Sequence, residues 1–304
     1  MMNRISYADY CRKVFGHRMQ KLTVDAGFTC PNRDGRLGTT GCVFCNNAAF
    51  NPAYCQPSKS ITQQIDEGIV FHQRRRRHNG GYLAYFQAYS NTYAPVEVLR
   101  KRFDEALAHP LVDGLVIGTR PDCVNDEKLD FLAQLAQRHY VMVEYGIESC
   151  YDSTLLRVNR GHDFACTKQA IEATAQRGIA CGGHLILGLP GESWHDMVAE
   201  AETLSQLPLT TLKLHQLQIL KGSQLAMEYE RDRTCVPPPF TVDEYVALVK
   251  EFLQHLRSDI VVERCVSEVP PRHQAAPERG WRHPDGTPVK AEEISAMILS
   301  SRPD

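Results

Sequence analysis

Three cysteines lie close together near the amino terminus, and thiolates at this spacing can bind metal. The stretch FTCPNRDGRLGTTGCVFCNNAAF holds Cys30, Cys42 and Cys45 in a C-x11-C-x2-C arrangement. A structural zinc site takes four closed ligands, and Cys55 would supply the fourth. A [4Fe–4S] cluster held by only three cysteines keeps one iron free for a ligand from outside the protein. Close thiols without metal would be open to oxidation, so the spacing favours a metal site.

The composition indicates a globular protein with reduced thiols. The chain has 304 residues, of which 43% are hydrophobic and 23% charged, enough for a sizeable core. Its formal net charge of -2 gives no overall basic excess that would indicate a nucleic-acid partner. The opening MMNRISYADYCRKVF lacks the apolar run of a signal peptide, and no segment reaches the length of a membrane helix. We therefore expect a cytoplasmic protein, without a membrane partner, whose eleven cysteines form no disulfide framework.

Strand-like and helix-like segments alternate over most of the chain. The predicted strands cover residues 21–27, 81–89, 114–119, 140–147, 179–191 and 210–220. The predicted helices cover residues 61–77, 95–108, 125–138, 163–178 and 192–207. This alternation predicts parallel strands joined by right-handed crossovers. The expected fold is therefore α/β, a partial (βα)6 TIM-like barrel that is open on one side, or a closely related open parallel sheet.

The pattern changes after residue 221. We predict a helix over residues 241–256, a further strand over 259–269, and a polar, proline-rich tail with a short helix near AEEISAMILSS. The chain accordingly divides into residues 1–221, the partial barrel with its amino-terminal lead-in, and residues 222–304, a C-terminal α/β extension packed on the barrel.

The cysteine loop follows the first predicted strand directly. It therefore lies at the carboxyl end of that strand, where barrels of this class place their functional residues. Gly35, Gly38 and Gly41 would let backbone N–H groups approach the sulfur atoms. Hydrogen bonds of this kind lower the cost of concentrated thiolate charge.

Several motifs occur in order at the predicted strand ends. CVFC (42–45), with an aromatic residue before its last cysteine, follows strand one and resembles the radical S-adenosylmethionine (radical SAM) superfamily. TRPD (119–122), GIES (146–149) and NRGH (159–162) are similar to the branch related to the catalytic subunit of Elongator. FTCPNRDG and FQAYSNTYAP resemble the YhcC-type proteins within that branch. The resemblance covers roughly residues 20–220.

The resemblance implies a cofactor pair and a reaction. Cys30, Cys42 and Cys45 would bind a [4Fe–4S] cluster, and its open iron would bind S-adenosyl-L-methionine (SAM). An electron from the cluster would cleave the sulfonium bond, and the resulting 5′-deoxyadenosyl radical would abstract a hydrogen from the substrate. Such a reaction requires an electron donor such as flavodoxin or ferredoxin. No catalytic residue is assigned beyond the cluster ligands.

Three SAM contacts implied by the resemblance lie in the first half of the chain. Phe44 would pack near the cluster or the adenine, although ordinary loop packing explains it nearly as well. Gln87 or Ser90 would accept from the SAM ammonium, because relatives often carry Gly-Gly-Glu where this chain reads YFQAYSN. The alternative role for both is capping of a strand end.

Three further contacts are implied at strands four and five. Glu148 would accept the hydroxyls of the SAM ribose. Arg160 would meet the SAM carboxylate, with a surface arginine at a helix end as the alternative. His184 occupies a position with a polar SAM contact in some relatives, and a structural histidine is an equal alternative.

Three functions remain open from the sequence. Elongator-like relatives modify the wobble uridine of tRNA, so the resemblance implies tRNA as a candidate substrate. The basic run Arg74–Arg77 would then contact phosphates, although such a run is usually only a solvated face. The second function is radical SAM chemistry on a small metabolite or a protein. The third is a non-catalytic, zinc-stabilised binding protein that uses Cys55 as a ligand.

Overall fold

The computed structural model describes residues 4–74 and 80–299, which fold around one parallel β-sheet. The strands are β1 Arg18–Val24, β2 Gly80–Phe86, β3 Val112–Thr119, β4 Tyr140–Glu148, β5 Ala180–Leu187, β6 Thr211–Gln216 and β7 Val261–Arg264. The helices are α1 Tyr7–Phe15, α2 Ile61–Arg74, α3 Val96–Leu107, α4 Asp126–Ala136, α5 Asp152–Arg157, α6 Phe164–Gln176, α7 Trp194–Ser205, α8 Gln224–Arg231, α9 Val242–His255 and α10 Ala291–Leu299.

The sheet is a half-barrel with its strands in sequence order, β1 to β7, and every neighbouring pair is parallel. The sheet curves so far that Lys21 Nζ of β1 lies 2.5 Å from Glu263 Oε2 of β7. Because this ion pair joins the first and last strands, it draws the two edges of the sheet together on the concave face.

Alternation along the strands separates an apolar outer face from a concave face that carries both an apolar cluster and charged side chains. Leu22, Val143 and Leu214 are fully buried and belong to the main core between sheet and helices. Lys21 and Glu144 point to the opposite, concave face, where their side chains meet at 2.6 Å. A parallel sheet covered by helices on one face therefore leaves a concave face for function.

Local sequence signals define the starts of the helices. Ser193 and Asp196 form a reciprocal capping box at the start of α7, and Thr241 and Glu244 form another at α9. Each box satisfies backbone N–H groups that have no partner inside the helix.

The predicted fold class is confirmed, with seven strands rather than six. The seventh comes from the segment predicted as a separate strand over 259–269, and Thr211 of β6 pairs with Val261. The predicted first strand, 21–27, lies three residues too far along, since β1 spans Arg18–Val24. Strand pairing ends there because the side-chain Oε1 of Gln64, not another strand, accepts from Asp25 N at 2.8 Å.

Two predictions stay untested in the fold. Arg74 ends α2 and is exposed, but Arg75–Arg77 lie outside the described residues. The division of the chain at residue 221 likewise stays a prediction. Among the helices that the structure describes, none is both long and apolar enough to cross a membrane.

Candidate active site

A cavity of about 220 Å³ opens at the carboxyl edge of the sheet. Its wall combines the cysteine loop with side chains from the ends of strands β2 to β7. The cavity is lined by all nine residues predicted as cluster ligands or SAM contacts: Cys30, Cys42, Phe44, Cys45, Gln87, Ser90, Glu148, Arg160 and His184. The roles of these residues stay predictions, but the fold brings them to one place.

Backbone hydrogen bonds fix the shape of the cysteine loop. Gly41 N donates to Asn32 O at 2.8 Å, and Cys45 N donates to Cys42 O at 2.9 Å. Gly41 has a φ of 80°, and a Cβ there would lie 2.9 Å from the Arg33 guanidinium. The left-handed backbone favours glycine at residue 41, and a side chain there would displace the Arg33 guanidinium.

The NRGH segment holds the loop from the other side. Val43 N donates to Val158 O at 3.0 Å, and Asn159 Nδ2 donates to Gly41 O at 2.9 Å. Asn159 has a φ of 53°, in the left-handed region that asparagine tolerates best among non-glycine residues. The NRGH motif therefore positions the cysteine loop as well as supplying Arg160.

The Cys42 sulfur has three N–H donors around it. Arg160 Nη1 lies 3.5 Å from Cys42 Sγ, Asn32 Nδ2 lies at 3.6 Å, and Arg120 Nη1 lies at 4.0 Å. Two of the donors are guanidinium groups, so the sulfur lies in a positive environment. N–H donors to a ligand sulfur are among the features that tune an iron–sulfur cluster.

The pKa of the Cys45 thiol is affected by opposing interactions. Burial and the nearby Cys42 raise the pKa of Cys45, and a hydrogen bond from Arg33 acts in the opposite direction. A thiol of this kind stays protonated on its own and is deprotonated when a metal binds it. The three-cysteine set therefore fits a metal group that supplies the missing positive charge.

The donor set fits an iron–sulfur cluster better than a single zinc ion. Zinc requires its ligands to converge on one point, whereas the thiolates of a cluster bind different irons. Cys55 is buried and is not among the described residues that line the cavity; burial raises its pKa to about 12. The structure therefore does not supply the fourth ligand of the zinc alternative.

Glu148 and Arg160 form an ion pair beside Cys42. Arg160 Nη2 lies 3.6 Å from Glu148 Oε1 and donates to Gly146 O at 2.5 Å. Burial alone would lower the pKa of Arg160, but Cys42 and Glu148 raise it above its ordinary value. Arg160 Nε is buried with no hydrogen-bond partner among the described residues. A carboxylate and a guanidinium side by side suit a ligand that carries both charges.

The backbone conformation at the end of β4 positions the Glu148–Arg160 ion pair. Glu148 has a φ of 66°, and the register between β4 and β5 shifts between Gly146 and Glu148. A Cβ at residue 146 would lie 2.5 Å from both Arg160 Nη2 and Glu148 Oε1. Strained backbone of this kind concentrates at functional sites.

The end of β2 places Gln87 and Ser90 on the cavity wall. Asn91 Nδ2 donates to Phe86 O at 3.0 Å and to Gly118 O at 2.8 Å, so Asn91 caps the ends of β2 and β3. Ser90 N donates to Thr29 O at 3.2 Å, which ties this turn to the cysteine loop. Capping at this edge is thus performed by Asn91, and Gln87 and Ser90 line the cavity.

Phe44 packs between the cavity and a small apolar core. It is half-buried against the cluster that contains Val43, Val158 and Leu189. Loop packing is therefore part of its role, and its cavity-facing side is available to a ligand.

His184 belongs to a buried polar network that the sequence analysis missed. Its Nε2 lies 2.9 Å from Glu144 Oε2, and Lys213 Nζ lies 2.6 Å from the same oxygen. Burial alone would raise the pKa of Glu144, but Lys21 and Lys213 hold it well below its ordinary value. The available signal was a single charged residue in each of two apolar strands, YVMVEYGI and TLKLHQ.

Two family models match the chain. The Radical SAM superfamily model matches residues 30–204, and the Radical_SAM C-terminal domain model matches residues 209–284. The chain belongs to the radical SAM superfamily, as the motifs indicated.

Individual relatives agree with this assignment. Protein YhcC of Escherichia coli (strain K12) is 39% identical over 251 residues, which cover 82% of this chain and 79% of YhcC. The tRNA uridine(34) acetyltransferase of Methanocaldococcus infernus is 26% identical over 134 residues, 43% of this chain but only 24% of that protein. The similarity to the acetyltransferase is therefore confined to a part of both proteins.

A solved structure shares the fold. The archaeal Methanocaldococcus infernus Elp3, with its N-terminus deleted, superposes with a TM-score of 0.64 at 15% sequence identity. The superposition covers 92% of this chain and 62% of the Elp3 chain. At this identity the similarity establishes the fold alone.

Proposed function

We propose that this protein is an enzyme that holds a [4Fe–4S] cluster on Cys30, Cys42 and Cys45, cleaves SAM reductively, and abstracts a hydrogen atom from its substrate. The observation that supports this most directly is that the three thiols and the Glu148–Arg160 pair line one cavity. When bound there, the cluster and SAM supply the electron and the carbon radical that the reaction needs.

The protein side chains then bind and orient. Arg160 donates to Cys42 Sγ through Nη1 and lines the cavity, where its guanidinium would meet the SAM carboxylate. Glu148, with a side chain 14% exposed, offers its carboxylate to ribose hydroxyls. Gln87 offers an amide oxygen to an ammonium group. These roles would place the ammonium group of SAM at the end of β2 and its ribose at the end of β4.

Formation of 5′-deoxyadenosine tests this chemistry. Anaerobically reconstituted protein is mixed with SAM and dithionite, and the product is measured by liquid chromatography. The wild type is expected to form 5′-deoxyadenosine, and Glu148→Gln is expected to form it at a SAM KM raised about tenfold, the equivalent of one good hydrogen bond. Glu172→Gln, an exposed residue of α6, serves as the matched control. A reconstituted wild type without product would contradict the proposal.

The substrate that we propose is tRNA, at the wobble uridine. Support comes from the limited sequence similarity to the M. infernus tRNA uridine(34) acetyltransferase and from the shared fold with Elp3. The acetyl transfer of that relative is not part of the proposal, because this chain matches only 24% of it.

The proposed electron donor is a small one-electron protein such as flavodoxin or ferredoxin.

The tRNA proposal is tested by coupling. Bulk tRNA is expected to stimulate 5′-deoxyadenosine formation and to acquire a changed wobble nucleoside, detected by mass spectrometry of the digested RNA. Nuclease-treated tRNA is the matched control. Stimulation by a low-mass cell fraction or by protein, with none by tRNA, would replace the tRNA substrate by a metabolite or a protein and leave the radical chemistry intact.

A further inference from the structure

The interior of the half-barrel contains a closed set of four buried charges. Lys21 and Lys213 each lie 2.6 Å from an oxygen of Glu144. Lys21 also lies 2.5 Å and Lys213 3.4 Å from Glu263. Two lysines and two carboxylates neutralise one another, so this part of the interior carries no net charge.

A second group of side chains adjoins this set on the cavity wall. His184 and His215 stack with ring centroids 5.3 Å apart. Arg264 Nη2 lies 3.2 Å from His215 Nε2 and 3.4 Å from Nδ1. All three residues line the cavity, on strands β5, β6 and β7.

Arg264 is the uncompensated charge of this group. Across residues 4–74 and 80–299, no carboxylate lies within ion-pair distance of its guanidinium, and its partner is the imidazole of His215. The other interior cations, Lys21 and Lys213, are already paired. Arg264 therefore brings to the cavity wall a positive charge that no carboxylate of the described residues pairs with.

The pKa values of both imidazoles are lowered, mainly by burial. Burial, then Arg264 and His184, hold the pKa of His215 well below its ordinary value. Burial, then Lys213, lower the pKa of His184 as well. An anion in the cavity would offset these neighbours and favour the protonated, hydrogen-bond-donating form of His215.

We infer that Arg264, His215 and His184 form a subsite for an anionic group of the substrate, a carboxylate or a phosphate. A guanidinium on a strand edge beside a stacked imidazole pair matches the planar, bidentate recognition of such groups. The inference rests on the proposed function, since it places this group in the same cavity as SAM.

The test uses reconstituted protein and simple anions. The imidazole resonances of His184 and His215, assigned with His184→Gln and His215→Gln variants, are followed by NMR at constant ionic strength. Inorganic phosphate and acetate are titrated separately, each with and without saturating SAM. Arg264→Gln removes the charge, and Arg282→Gln, whose guanidinium bonds Gly286 O at 2.9 Å in the C-terminal segment, is the matched control.

The expected result is a saturable shift of the His215 resonance that persists with SAM bound. Arg264→Gln is expected to weaken the affinity for the anion by at least about tenfold, and Arg282→Gln is expected to leave this affinity unchanged. A response to phosphate alone assigns a phosphorylated substrate, and a comparable response to acetate assigns a carboxylate.

Three results would overturn the subsite: no saturable shift with either anion, an equal affinity in Arg264→Gln, or complete displacement of the anion by SAM. The last would make the group part of the SAM site. The cluster EPR signal of Arg264→Gln is recorded with SAM in parallel. A normal SAM response together with a failed subsite would leave the proposed function standing.

Discussion

Arg160 Nη1 lies 3.5 Å from Cys42 Sγ, while Nη2 of the same guanidinium lies 3.6 Å from Glu148 Oε1. One buried cation thus touches a predicted cluster ligand and a predicted SAM contact. Arg160 therefore couples the charge at Cys42 electrostatically to the carboxylate of Glu148. From the sequence, Arg160 was expected to contact the SAM carboxylate or to be a surface arginine at a helix end. Arg160 is buried, and its contact with the Cys42 sulfur adds a second role.

Loss of the Arg160 charge is expected to lower the reduction potential of the cluster. A guanidinium donor to a ligand sulfur stabilises the more negative, reduced state. Arg160→Gln should lower the midpoint potential by on the order of 60 mV, a tenfold change for one electron, and Arg160→Lys by less. The measurement is an EPR-monitored redox titration. Arg157→Gln, which alters the ion pair with Glu228 instead, is the control, and an unchanged potential in Arg160→Gln would refute the electrostatic role.

Cys45 and Cys55 are expected to differ sharply in their effect on bound iron. Cys45 lines the cavity with Cys30 and Cys42, whereas Cys55 is buried outside its described lining. Cys45→Ser should abolish the reconstituted cluster, and Cys55→Ser should retain nearly all of its iron and sulfide. Iron, sulfide and zinc analysis checks both. Loss of metal from Cys55→Ser together with zinc in the wild type would favour the zinc alternative.

Removal of the Glu144 charge is expected to destabilise the barrel. Its carboxylate lies 2.6 Å from both Lys21 and Lys213, and its side chain is only 1% exposed. Glu144→Gln removes one carboxylate partner from each of the two ammonium groups, which should lower the free energy of unfolding by about 3 kcal/mol. Urea unfolding followed by circular dichroism measures this, beside the exposed control Glu172→Gln. Equal midpoints for the two variants would show that the network is not stabilising.

Ionisation of Glu192 is expected to reduce folding stability as the pH rises towards neutrality. Burial raises the pKa of Glu192 from 4.5 to about 7, and its Oε1 accepts from Ser149 Oγ at 2.5 Å. Between these two values the folded form keeps a proton that the unfolded chain has lost, so rising pH favours unfolding. Burial, then Glu192, raise the pKa of Glu200 in the same direction.

Glu192→Gln should therefore reduce the loss of stability between pH 5 and pH 8. The measurement compares urea midpoints at these two pH values, about the ends of the expected window. Glu202→Gln, an exposed partner of His255, is the control and should retain the full wild-type dependence. An unchanged slope in Glu192→Gln would mean that its carboxyl ionises normally in the folded protein.

Local sequence patterns predicted the motifs that follow strand ends. They did not predict the side-chain pairs that form between distant strands, because those pairs depend on how the strands align in the sheet. The cysteine loop, Glu148 and Arg160 follow predicted strand ends, so their convergence could be expected. The pairing of Lys21 with Glu263 joins residues 242 positions apart, which no local pattern specifies. Helices α1, α5 and α8 were missed because they are short segments, 6 to 9 residues long, outside the strand–helix alternation.

If the three thiols hold a cluster with an iron open to SAM, EPR of the anaerobically reconstituted and reduced protein will show it most directly. Spectra are recorded with and without SAM. We expect a [4Fe–4S]⁺ signal whose g-values change when SAM is added. Stoichiometric zinc with no cluster signal, or a cluster signal that SAM leaves unchanged, would contradict it.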